Sequence, residues 1–214
     1  MNTAGTDREA TVMLAHGGGG ELTRQLLADH VLPELGNPLL DPLTDSAMLP
    51  RVSGRLCLTT DAFVVQPLEF PGGDIGRLAV CGTVNDLAVM GARPLALSLA
   101  LVLEEGLSLD VLGRIVASIG AAAREAGVPV ATGDTKVVER RRGDGMTITT
   151  AGVGGVRDGV ELDAARIREG DAVVITGPLA EHGLAVMSAR ENLSFRTRVR
   201  SDVAPLAGLV GAVL

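Results

Sequence analysis

The chain has 214 residues, enough for one large domain or one and a fraction. Its net charge of −7 and 1% aromatic content argue against a nucleic-acid surface, which needs cations and stacking rings. The longest apolar run, Leu95 to Leu103, is too short to cross a bilayer, and Val12 to Ala15 is too short for a secretory signal, so a cytoplasmic protein without a membrane partner is expected. Cys57 and Cys81 lack CxxC or His-rich company and read as buried thiols in a reducing compartment.

Residues 1–11 are polar and read as loose. Val12 to Ala15 is a short strand candidate, followed by His16 and then Gly17, Gly18, Gly19 and Gly20. Four glycines let backbone approach a ligand and aim N–H groups at an anion, although a flexible linker has the same composition. No GxxxxGK[ST] is present, so this is not a Walker loop. Glu21 to His30 reads as a helix whose positive end would face the same place. The stretch 37–53 is Pro-rich and loop-like, with Asp45 and Ser46 open to solvent or ligand.

Arg55 to Val65 reads as a strand with Thr60 and Asp61 toward its end. A Pro/Gly loop leads into a helix of about four turns, with Asp74 as its N-cap and Gly91 and Pro94 as its stop. At 100° per residue one face carries Ile75, Leu78, Ala79, Gly82, Asp86 and Val89. That pattern predicts a carboxylate inside an apolar stripe, needing a cation or a capping role on a neighbour. Gly82 predicts a close backbone contact on the same stripe. Leu95 to Leu103 is a strand candidate apolar on nearly both faces. Ser108 caps a predicted helix over Leu109 to Ala126 that Gly127 ends, and Val128 begins a strand running through Asp134, Lys136 and Val138. Met146 to Val156 is strand-like, and the glycines after it predict a boundary between a unit over 1–156 and a second over 157–214. In that second unit Asp171 to Thr176 reads as a strand, Glu181 to Glu191 as a helix, and Val203 to Leu214 as helix-like without a stop.

Lysine usage is the most pointed signal. There are eighteen arginines and one lysine, Lys136. Arginine replacing lysine throughout does not explain one survivor, whereas a need for a compact ammonium group does. Asp45, Asp61, Asp86 and Asp134 stand at strand ends, loops or an apolar stripe. If three converged, each pair about 5 Å apart would repel by roughly 3 kcal/mol at an effective dielectric of about 20. A divalent cation would relieve that, and an all-oxygen donor set favours Mg²⁺ shared with substrate phosphates. Lys136, on the same strand face as Asp134 if the backbone is extended, would supply the ammonium of a phosphoryl-transfer site, or else form a surface pair with it.

The block TTDAFVVQPLEFPGGDIGRLAVCGTVNDLAVMGARP, together with GDTKVV and HGGGG, resembles the HypE hydrogenase maturation family. That family lies in the superfamily of aminoimidazole ribonucleotide synthetase, selenophosphate synthetase and thiamine monophosphate kinase. The resemblance runs from about Val12 to at least His182. It implies an α/β (α+β) fold with a mixed sheet, flanking helices and the start of a second α/β domain. It also implies a homodimer with ATP and Mg²⁺ bound near the interface. By matching position, Asp61, Asp86 and Asp134 would hold the metal-loaded nucleotide, with Asn85 adjacent and Asp45–Ser46 a looser match. Gly17 to Gly20 would fold over the phosphates, and Lys136 with Asp134 would serve the chemistry.

The reaction so implied is ATP-dependent dehydration of a carbamoyl group on a C-terminal cysteine to a thiocyanate. A HypF-type carbamoyltransferase delivers the carbamoyl group, and the cyanide passes to iron on a HypC–HypD complex for the [NiFe] hydrogenase centre. The family's second domain is longer and ends in that cysteine. This chain stops at Leu214 with both cysteines internal, so the expectation is a second unit cut short and unable to complete the dehydration. A non-catalytic dimerising nucleotide module, or another ATP-using enzyme of the superfamily, is the alternative.

Overall fold

The computed structural model describes residues 10–191, 193 and 199–214. The expected looseness of residues 1–11 therefore falls, for residues 1–9, outside the described residues.

Four strands form a mixed sheet in the order β1-β6-β4-β5. These are β1 (Leu56–Phe63), β4 (Ala92–Glu104), β5 (Val130–Val138) and β6 (Met146–Val156), with a short hairpin of β2 (Glu69–Phe70) and β3 (Gly73–Asp74) beside it. Strand β6 runs antiparallel to β1 and β4, and β4 runs parallel to β5 through a crossover helix. One face is covered by α3 (Ile75–Val89) and α4 (Leu109–Ala126).

The caps are where the sequence puts them. The Arg77 N–H donates to Asp74 Oδ1 at 2.9 Å, and Gly127 closes α4 in the left-handed region at φ 66°. The core lies between sheet and helices, with Ile75, Val84, Leu87, Leu103, Leu112, Ile115, Ile119 and Ile148 fully buried. Gly76 lets the two helices close up, since a β-carbon there would meet the Ile115 carbonyl oxygen and Ile119 Cγ1, both at 2.7 Å.

Several expectations are corrected. Val12 to Ala15 is not a strand: Leu14–Gly17 forms a 3-10 turn, and only Thr11 bridges to Ser108. The helix after the glycines runs beyond His30, as α1 (Glu21–Leu26), a π-helical turn over Leu27–Val31, and α2 (Leu32–Leu35). Pro33 has no N–H and its ring crowds the carbonyl four residues back, and the wider π turn gives it room. Asp171 to Thr176 forms no strand and has no partner strand among the described residues; Val173 and Val174 stand 94% and 82% exposed. α5 (Glu181–Arg190) forms, as does α6 (Ala207–Val213), while 200–206 has no regular structure and lies along α3.

Helix α3 also corrects the apolar stripe. Its buried positions include Ala79, Val80, Thr83, Val84 and Leu87, whereas Asp86 is exposed and Val89 is 53% exposed. The helix is apolar nearly all round, so a stripe drawn from Ile75 could not tell the sheet side from the outer side.

Beyond the helices, the β5–β6 connection crosses the end of β4. Glu104 sits there and accepts from the Arg141 N–H at 2.6 Å and the Gly145 N–H at 3.2 Å. These backbone donors hold its carboxyl below the usual 4.5. A depressed value stabilises the fold above that pH and loses the contribution as pH falls through the lowered one. Amides in 139–145 are therefore expected to exchange faster below about pH 4, and Glu104→Gln to show that fast exchange already at neutral pH.

Of the two cysteines expected to be buried, Cys81 is and Cys57 is only half-buried. Burial pushes the Cys81 thiol up to about 11, so it stays protonated, while Cys57 is half-buried on β1. Iodoacetamide at pH 8 is expected to modify Cys57 and leave Cys81 intact in the folded chain, read by peptide mass.

Candidate functional site

The glycine loop is built from inside. The His16 ring, only 7% exposed, accepts the Met13 N–H at Nδ1 over 3.0 Å and ties off the turn. Two loop N–H groups are spent locally: Gly18 donates to the Ala15 carbonyl at 3.2 Å and Gly19 to Thr23 Oγ1 at 2.9 Å. The expected array of N–H groups aimed at an anion is thus partly engaged within the loop. Gly17 lies flat on the outer edge of β5, where a β-carbon would come 2.6 Å from the Val137 nitrogen. Glycine is required there by contact rather than by backbone angle.

Behind the loop is a cavity of about 250 Å³, floored by Leu27, Val31, Leu99 and Val130. Its mouth carries Gly17, Gly19, Thr23, Thr132, Asp134 and Thr135. The Asp134 carboxylate accepts the Thr135 N–H at 2.8 Å. Thr132 also lines a second cavity of about 310 Å³, bordered by Asp45, Ser46, Leu58 and Ser98. Asp45 thus belongs near the same end of β5 as Asp134.

Strand register places the remaining carboxylates elsewhere. Asp61 pairs with Thr150, Thr150 with Leu99, and Leu99 with Gly133, so all four side-chain positions face the helices. The next row runs Ala62, Thr149, Ala100, Asp134, and its side chains face the other way. Asp134, and Lys136 two residues on, stand exposed on the open face of the sheet. Asp61 instead meets α3, with its Oδ2 3.4 Å from where a Gly82 β-carbon would sit, while the Phe63 ring lies at 2.9 Å from that point. The close contact expected at Gly82 is this one. One turn further on, Asp86 accepts from Thr59 Oγ1 at 2.9 Å, so Asp61 and Asp86 share the β1–α3 seam.

Convergence of Asp61, Asp86 and Asp134 within one chain is therefore not what the fold produces. Among the described residues no three His, Cys, Asp or Glu side chains are grouped to hold a metal ion. A one-residue difference in register parity decides this, and it could not be read from spacing. Asn85 is also differently employed. Its Nδ2 donates to the Ala204 carbonyl at 3.0 Å and its Oδ1 accepts the Leu206 N–H at 2.7 Å. The structure adds Thr23, Thr132 and Thr135 to the site, which sequence reasoning left out; the GDT run and a Thr one turn into the helix were the available signals.

The AIR synthase related protein, N-terminal domain, family model matches residues 44–156. The carbamoyl dehydratase HypE of Azotobacter vinelandii is 48% identical over 207 residues, which is 97% of this chain and 61% of that protein. A crystal structure of hydrogenase maturation protein HypE in complex with ATP superposes with a TM-score of 0.92 at 46% identity, covering 95% of this chain and 61% of that one. HypE in a HypE–HypF complex gives a TM-score of 0.72 at 46% identity, over 90% of this chain and 61% of that one. The chain spans about six tenths of the length of the relatives it matches. It belongs to the AIR synthase related family, with the HypE hydrogenase maturation proteins as its close relatives.

Proposed function

We propose that this chain carries the nucleotide-binding part of a HypE-type carbamoyl dehydratase, acting in the cytoplasm as a homodimer. The observation that carries this reading is the glycine loop laid across the β5 edge, roofing a cavity with an apolar floor and a mouth of Thr132, Asp134 and Thr135. An apolar floor suits a nucleobase, and a glycine-lined mouth suits phosphates. The solved HypE that superposes on 95% of the chain is a complex with ATP.

In the reaction, the carbamoyl oxygen of a thiocarbamate attacks the terminal phosphorus and ADP leaves. Loss of both amide protons and departure of phosphate with that oxygen then give the thiocyanate. Lys136 is assigned the charge developing on the transferred phosphoryl group and Asp134 a proton-accepting role. The Cys81 thiol, buried and protonated, is unsuited to carry the carbamoyl group. Magnesium would use Asp61 with Asp86, or Asp134, alongside nucleotide oxygens; the carboxylates do not form a ready three-ligand cradle in one chain.

A second copy against the open sheet face would cover Leu56 and Leu58, 62% and 77% exposed, and place Asp134 and Lys136 at a subunit boundary. The partners on this reading are a HypF-type carbamoyltransferase, in line with the HypE–HypF structure, and a HypC–HypD complex that takes the cyanide. Calorimetric titration with MgATP is the test. Saturable binding that Asp134→Ala abolishes supports the reading, and absence of binding, or binding indifferent to Asp134→Ala, sinks it. ATP turnover stimulated by a carbamoylated donor separates an enzyme from a binding module.

A further inference from the structure

The block from Phe70 to Asn85 contains a Pro-Gly-Gly run, an arginine and an asparagine that the nucleotide cavity does not use. All of them meet the irregular segment 201–206. The Ser201 N–H donates to the Pro71 carbonyl at 2.7 Å, and a β-carbon on Gly72 would fall 2.6 Å from that same nitrogen. A β-carbon on Gly73 would come 2.8 Å from Val203 Cγ1. Arg77, paired with Glu125 at 2.6 Å, turns its Nε to the Val203 carbonyl at 3.3 Å. Asn85 closes the track with its two bonds to Ala204 and Leu206. From the far side, His182 Nδ1 lies 3.1 Å from Ser201 Oγ, and its ring meets Phe70 edge-on at 5.2 Å.

We propose that this track is a seat for segment 201–206 and that Asn85 is a positioning residue, holding the last turns of α3 so that Asp86 stays against Thr59. The helix is gripped on its inner side by Thr83 on Thr150 and on its outer side by the seated segment. An amide that satisfies one backbone donor and one backbone acceptor of the same segment acts as a two-point clamp. Asn85 and Asp86 are consecutive on one helix, so release of the outer grip is felt by the neighbouring carboxylate. The second unit is thereby mechanically linked to the β1–α3 seam. Only the affinity readout below rests on the nucleotide reading.

The test uses the whole chain with Asn85→Ala and, separately, Gly73→Ala, which crowds Val203 and leaves Asn85 untouched. Amide exchange at Ser201 and Leu206 reports the seat, the Asp86 carboxylate carbon and Thr59 amide resonances report the seam, and MgATP titration reports the site. Both variants are expected to raise exchange at Leu206 about tenfold, to move the Asp86 and Thr59 resonances together, and to weaken MgATP about fivefold. If Gly73→Ala leaves the segment protected, Ser201→Pro, which lacks the N–H given to Pro71, takes its place. Resonances of Asp86 and Thr59 that stay put when the segment is released overturn the proposal. So does weakened MgATP binding in Asn85→Ala alone, because that result makes Asn85 a direct ligand. A parent chain that binds no MgATP fails the nucleotide reading, and the resonances then decide this one by themselves.

Discussion

Replacing Gly17 by alanine is expected to weaken MgATP binding by about thirtyfold or more, near 2 kcal/mol, while the melting temperature moves little. The added methyl would lie 2.6 Å from the Val137 nitrogen and 3.0 Å from Val137 Cβ, and neither belongs to a side chain that can swing away. The loop must lift off the β5 edge, taking the roof from the cavity. Gly20→Ala is the control. Nothing lies within 4 Å of its would-be β-carbon and its φ of −94° suits any residue. Amide exchange at Met13 and Gly19, whose N–H groups bond His16 and Thr23, should rise in the first variant and stay put in the second. Unchanged nucleotide affinity in Gly17→Ala would separate the loop from the site.

The largest stability effect is expected at Ile119. It is fully buried on α4, facing the Gly76 backbone across the close contact between α3 and α4. Truncation to alanine forfeits three buried carbons and leaves a void the two helices cannot close, because Gly76 already touches the Ile115 carbonyl. The cost is about 3 to 4 kcal/mol, which for a chain of this size is roughly a 10 °C fall in melting temperature by calorimetry. Filling the gap with Gly76→Ala should not restore stability, since the new methyl meets that carbonyl first. A fall of only a degree or two would mean the helices slide to fill the space.

Local chemistry was legible in this sequence and register was not. Asp74, Ser108 and Gly127 could be placed because a cap depends on the few residues around it. The mixed sheet and its helices came with the family resemblance and with the long apolar runs, and they stand as expected. Whether Asp61 and Asp134 share a face depends on how two strands about seventy residues apart in number align through two others between them. Spacing carries no information about that parity. Likewise the stripe on α3 failed because both sides of the helix are covered, one by the sheet and one by segment 201–206 and α6, and an amphipathic pattern presumes one wet side. Asn85 could not be assigned from its neighbour Asp86, since adjacent helix positions point about 100° apart.

The single lysine has a practical side. Apart from the α-amino group, Lys136 is the one primary amine in the sequence, and it stands exposed on the sheet edge strand beside Asp134. Succinimide-ester dyes and amine-coupled sensor surfaces would therefore fasten on β5 two residues from Asp134, and an immobilised sample would look inert for reasons of attachment chemistry. The same singularity turns a fluorophore on that nitrogen into a reporter with one address.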